Sequence, residues 1–271
     1  MSWYKYKEKS TGNIDTKDKS KFHKSLFDSL KTNFSQGAGF GTLVTLAEMI
    51  SGSPKNETDQ YLIDSEILDL FLENIKVTEK ALGIFAEIDW IISNPLSLER
   101  KSLQDFYDLV CGVESELQKY LSVKNQKMIQ SDLKPSFKNL FFEYNSDYMK
   151  KVVKEFLMNA MKFSEPKSNI VCILELKDEK IHFSVINKPL VDERGAIGIL
   201  DEYQSIIFEP FFRLWNYTFE EFDTLDYGLG LTLAEKILLK HGGNVNVTNL
   251  LDHSENQPET KAEFSFSIPV K

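Results

Sequence analysis

Two short stretches carry residue types and spacings that could do chemistry. In KEFLMNAMKFSEP, residues 154–166, Glu155, Asn159 and Lys162 stand at i, i+4 and i+7, so they share one narrow stripe of a helix. Val153, Phe156, Leu157, Ala160 and Met161 fill a broad apolar arc on the other side. An acid, an amide and an amine in a row are out of place on a helix that otherwise reads as buried. The second stretch is DYGLGLTLAEKILLKHGG, where Gly228, Leu229 and Gly230 precede a helix with apolar Leu231, Leu233, Ile237 and Leu238. Glycines at a helix start let backbone N–H groups approach an anion, and the helix start itself carries about half a positive charge. Each stretch has a plainer reading: a solvated face in the first case, a simple turn in the second.

The elements that must position these residues follow from periodicity. Residues 1–18 are polar and charged and read as a flexible tail. Phe22, Leu26, Leu30 and Phe34 recur every four residues as one helix face. QGAGFG interrupts it with glycines at 37, 39 and 41, which predicts a kink or break near 36–41 and leaves Phe40 either exposed at that break or packed into the helices. Helical patterning resumes in TLVTLAEMI and stops at SGSPKNE. A longer helix is expected over 59–93, ended by Asn94–Pro95. Its apolar rows, Leu70, Val77, Ile84 and Ile91 beside Leu68, Ile75 and Leu82, are widened by Phe71, Phe85, Ile88 and Ile92. A stripe that wide points to an antiparallel hairpin over 19–95 completed as a four-helix bundle in a homodimer. Packing of the hairpin on its own C-terminal half is the alternative.

After Pro95 the pattern becomes mixed. Helices are expected over 103–121 and 147–163. Strands are expected over 169–176, 180–187 and 262–270, with another in NVNVTNL after the glycine-led helix. This order predicts an α+β chain whose residues 96–271 form a two-layer α/β sandwich.

The composition limits the partners. The 271 residues are 42% hydrophobic and 27% charged, ordinary for a folded protein with a sizeable core. A net charge of -9 argues against a nucleic-acid or anionic-membrane surface. The two cysteines, Cys111 and Cys172, read as small buried hydrophobes. MSWYKYKEKS lacks a signal-peptide core, and no apolar run reaches the length of a membrane span, so no membrane insertion and a cytoplasmic location are expected.

Taken in order, EFLMNAMKFS on a helix, VINKP ending a strand, IFEPFFRL, DYGLGLTLAEKILLKHGG and a closing FSFSIP strand resemble the ATP-binding domain of sensor histidine kinases, in the GHKL ATPase superfamily. The segments correspond to its N, G1, F and G2 boxes and final strand, and the preceding hairpin resembles the dimerisation and phosphoacceptor domain. The resemblance implies that Asn159 holds a magnesium ion bridging the phosphates of ATP, that Lys162 reaches the phosphates, and that Glu155 orients water or supports the metal. It places Asn187 at the adenine, Arg213 within reach of phosphate or paired with Glu209, and Gly228–Leu229–Gly230 around the phosphates. Phe208, Phe211 and Phe212 read as lid packing, Trp215 and FEEFDTLD as a lid, and His241 as structural.

Two departures stand out. Where the family has an adenine-binding aspartate and a glycine pair, this chain has Asn187 and Pro189, with no glycine before Gly195 and Gly198; ETKAE replaces a later glycine segment. The family's phosphoacceptor histidine falls on Gln36 or Phe34, neither of which can take a phosphoryl group, and the adjacent acid is Gly37. His23, upstream on the same helix and followed by Lys24, is the remaining candidate. The expectation is a dimeric, ATP- and magnesium-binding two-component protein without its own phosphoacceptor. It would act as a regulatory pseudokinase or a docking partner for a response-regulator receiver domain or another kinase. The alternatives are an active kinase using His23 or a partner residue, and a scaffold that binds no nucleotide.

Overall fold

A computed structural model describes residues 40–191, 195–215, 219–222, 227–253 and 258–270. Helix α1 (Phe40–Ser51) packs against helix α2 (Ser65–Ser93). The tail at 1–18, His23, Gln36 and the expected break over 36–39 lie outside the described residues, as does the Phe40 side chain. Gly41 lies inside α1. Helix α2 starts at Ser65 rather than 59 because Asp64 caps it, its carboxylate accepting from the Glu66 N–H at 2.8 Å, while residues 52–64 form a connection with its own Lys55–Tyr61 bridge. At the other end Asn94 donates its backbone N–H (2.9 Å) and Nδ2 (2.8 Å) to the Trp90 carbonyl, and Pro95 cannot continue the helix.

Next come β1 (Glu99–Ser102), α3 (Leu103–Val123), β2 (Lys127–Gln130), β3 (Phe141–Tyr144), α4 (Ser146–Phe163), β4 (Asn169–Lys177) and β5 (Lys180–Asn187). The short helix α5 (Asp201–Gln204), α6 (Gly230–Lys240), β6 (Asn244–Asp252) and β7 (Glu259–Pro269) complete the chain. The main sheet has the order β2-β4-β5-β7-β6, with β2 parallel to β4 and every other pair antiparallel. A separate two-stranded ribbon joins β1 to β3.

Alternation does the layering. Ile181, Phe183 and Val185 of β5 are buried, with His182, Ser184 and Ile186 only half-buried between them. Apolar stripes of α3 (Phe106, Val110, Val113, Leu117) and α4 (Met149, Val153, Phe156) close over the buried face. This is a mixed α+β fold, a sheet layered against helices. The short strands β1, β2 and β3 have no alternation long enough to read in the sequence; they exist because neighbours supply their hydrogen bonds. ETKAE, read as a replaced glycine segment, is the start of β7, held in register against Thr248–Asp252. Among the described residues no helix is long and apolar enough to cross a membrane.

Candidate functional site

Helix α4 presents the polar stripe. Its N-cap Asn145 accepts from the Tyr148 N–H at 3.2 Å, and the Asn145 backbone N–H donates to His241 Nε2 at 3.0 Å. The His241 Nδ1 faces the Ile237 carbonyl at 2.7 Å, so the ring is a neutral link between the end of α6 and the start of α4. Burial holds its pKa below the usual histidine value. Farther along α4, Asn159 Nδ2 donates to Glu155 Oε1 at 2.9 Å. That bond fixes the amide and leaves Oδ1 as an acceptor. Lys162 is buried, an unusual place for an amine on an outer stripe. Beyond it, Lys124 Nζ donates to the carbonyls of Lys162 and Ser164 and lies 4.9 Å from the Phe219 ring. Burial lowers the Lys124 pKa to about 8.

The glycine turn meets this stripe. Gly228 has φ +69°, and a Cβ there would stand 2.4 Å from the Phe212 carbonyl oxygen. Gly230, the first residue of α6, lies so close to the Glu155 carboxylate that a Cβ would come within 2.1 Å of it. Across the cavity the strand β5 ends at Asn187, buried beside Ala262 of β7. The chain then runs along the end of α4: Leu190 N–H donates to the Phe163 carbonyl and Glu165 N–H to the Lys188 carbonyl. Asn249 of β6 holds the next loop twice, accepting from the Ile199 N–H at 3.0 Å and donating to the Ile199 carbonyl at 2.8 Å. Gly198, with φ +83°, lies against that amide, where a Cβ would come within 2.4 Å.

These elements enclose one cavity of about 410 Å³, within the range of small-molecule sites, roughly 300–1,000 Å³. Glu155, Asn159, Lys162, Asn187, Arg213, Gly228, Leu229 and Gly230 all line it. Trp215, stacked on Phe163 at 6.2 Å, closes one side. Four cationic side chains (Lys151, Lys154, Lys162 and Arg213) face two carboxylates, Glu87 and Glu155. On a chain of net charge -9, this is a local excess of positive charge suited to an anion.

Helix α2 supplies part of the wall through Ile84 and Glu87. It is fastened there by a small second core of Ala81, Ile88, Tyr227 and Leu229, by Phe85 stacked on Phe211 at 6.0 Å, and by Trp90 stacked on Tyr148 at 6.5 Å. Lys240 Nζ donates to the Ile92 and Asn94 carbonyls at 3.0 and 2.8 Å, closing the C-terminus of α2. Lys151 and Glu87 form an ion pair across the same contact. Thus Phe211 packs on α2, Phe208 is buried in the main core, and Phe212 faces the cavity. The sequence reading missed Glu87, Lys151, Lys154, Gly198 and Asn249. Lys151 had a signal, since it continues the stripe one turn before Glu155; Asn249 had none, because its partner is fifty residues away.

Residues 144–271 match the family model for the histidine kinase-, DNA gyrase B-, and HSP90-like ATPases. Over these residues the chain resembles the catalytic core of a sensor histidine kinase. Over 206 residues, 76% of this chain and 45% of the relative, it is 27% identical to the adaptive-response sensory kinase SasA of Synechocystis sp.. The chain therefore spans less than half of that kinase. Solved structures share the fold, two of them as follows. Histidine kinase ThkA in complex with response regulator protein TrrA matches at TM-score 0.57 and 18% identity, covering 100% of this chain and 67% of that one. Full-length ShkA in complex with AMPPNP matches at TM-score 0.54 and 16% identity, covering 91% of this chain and 45% of that one.

Proposed function

We propose that this chain is a two-component signalling protein that binds ATP with magnesium at the cavity, lacks a phosphoacceptor histidine of its own, and acts as a regulatory pseudokinase. The observation that carries the reading is the convergence of the α4 stripe, the glycine turn and Asn187 on one cationic cavity. The residues fit the cofactor. Asn159 Oδ1 is the oxygen ligand a magnesium ion would take, and the close approach at Gly228 and Gly230 is the backbone space that phosphates need. Bound magnesium would neutralise phosphate charge. Lys162 and Arg213 would hold the phosphates, and Asn187 would accept from the adenine amino group. Glu155, bonded to Asn159, would hold that amide in place and support the metal.

The absence of an acceptor rests on Gln36 and Phe34 at the expected position and on a sequence with no histidine between 24 and 181. A protein of this kind, divided near residue 95, would form a homodimer through its N-terminal helices and present them to a receiver domain or another kinase. ThkA, the like-folded kinase solved with a response regulator, supports the receiver domain as the partner. Incubation with labelled ATP and magnesium, with acid- and base-stability tests of any label, decides the pseudokinase reading. The expected result is ATP binding by calorimetry and no acid-labile, base-stable phosphohistidine. A label lost in His23→Ala with the fold intact would restore an active kinase, and no heat with millimolar ATP would leave a scaffold.

A further inference from the structure

The polar stripe of α4 does not end at Glu155. Lys151 continues it at i−4 and lines the same cavity as Asn159 and Lys162. Its partner, Glu87, stands on α2 and lines the cavity too. Lys154 faces the same end. An anion arriving there meets two carboxylates, Glu87 and Glu155, and the cation best placed to offset them is already paired with one. The pair is wet enough to exchange: the side chains are 47% exposed for Lys151 and 24% for Glu87.

We propose that Lys151 is a further phosphate-binding residue, transferred from Glu87 to the terminal phosphate of a bound nucleoside triphosphate, and that this transfer loosens the hold of the cavity on α2. The inference rests on nucleotide binding at this cavity. A terminal phosphate carries more charge and more acceptor oxygens than a carboxylate, so the exchange replaces one charge-assisted bond by a stronger one. Glu87 then faces the phosphate without a counter-ion and is repelled. Helix α2 keeps Lys240, Trp90 and its small apolar core but loses its ionic tie to α4. A diphosphate, shorter by the group that would claim Lys151, leaves the pair intact. Occupancy by the triphosphate is thereby read out on the helix that leads away from the site.

The test uses the full chain, with Lys151→Gln and Glu87→Gln as surface substitutions whose folding is checked by circular dichroism and Lys151→Arg as the conservative control. Calorimetry with magnesium-ATP and magnesium-ADP is paired with amide hydrogen exchange over residues 81–93. Lys151→Gln should weaken ATP by about fivefold or more and ADP by less than about twofold, with Lys151→Arg restoring ATP. Glu87→Gln should tighten ATP and raise exchange over 81–93 without nucleotide. In the unaltered protein ATP should raise that exchange and ADP should not. Equal effects of Lys151→Gln on both nucleotides, or exchange indifferent to ATP, overturn the transfer while leaving the nucleotide site intact. Failure of both nucleotides to bind the unaltered protein overturns the site itself, and this inference with it.

Discussion

Gly228 and Gly230 are two residues apart in one turn, yet their substitution should fail in different ways. At Gly228 the positive φ costs a side chain about 1–2 kcal/mol, and the added Cβ meets the backbone carbonyl of Phe212, which cannot step aside. Gly228→Ala should lower unfolding stability by about 2 kcal/mol or more, measured by urea titration. At Gly230 the added Cβ meets the end of the Glu155 side chain, which can swing. Gly230→Ala should leave stability within about 1 kcal/mol, because alanine favours the helix start, while displacing the carboxylate that orients Asn159. Its loss should appear in magnesium-ATP calorimetry instead. Equal stability losses in the two variants would mean that the Glu155 contact is rigid packing. Asn187 gives a third test. An aspartate at this buried position should destabilise the protein without ligand, since an unpaired charge there is costly, and tighten ATP about five- to tenfold by making the adenine bond charge-assisted. Thermal melts with and without ATP separate the two effects.

At the scale of elements, His241 ties α6 to α4 and its titration should be visible in stability. Burial depresses its folded pKa below the unfolded value of 6.5. Between those two values the unfolded chain binds more protons than the folded one, so stability rises with pH there. The contribution is fully present above 6.5 and is lost as pH falls through the folded pKa, where protonating Nε2 removes the acceptor of the Asn145 N–H. His241→Gln should flatten that acid-side decline in melts taken from pH 7.5 down to 5. A variant as pH-sensitive as the parent would assign the decline to another group. Asn249 and Gly198 make the same point about position: a doubly bonded amide on a strand fixes the loop beside Asn187, so the missing glycine pair after that residue is answered by a glycine eleven residues later.

At the scale of the whole molecule, α2 has two jobs that its wide stripe could not separate in the sequence. Ala81, Ile88 and Ile91 are buried against the rest of the chain. Leu68, Leu72 and Leu82 remain exposed, at 39%, 47% and 56%. Exposed leucines in a row on one helix suit a second copy of the same surface. The triple variant Leu68→Glu/Leu72→Glu/Leu82→Glu should convert a dimer to a monomer in light scattering while ATP binding is kept, because none of the three lines the cavity. A parent protein already monomeric at high concentration would remove the dimer from the proposal.

The sequence by itself carried the layered α+β fold, the α4 stripe of Glu155, Asn159 and Lys162, and the glycine turn at 228–230, because α4 and β5 have periods long enough to read and the glycine turn is local. It also carries Gln36 and Phe34 where the resemblance implies the phosphoacceptor histidine. Only the tertiary structure decided that Glu155 packs on Gly230, that Asn249 holds the loop at Gly198, and that α2 brings Glu87 to the cavity. Each of these contacts joins residues far apart in the chain whose types are ordinary on any surface. Their meaning comes from the partner across the gap, and no pattern along the chain carries it.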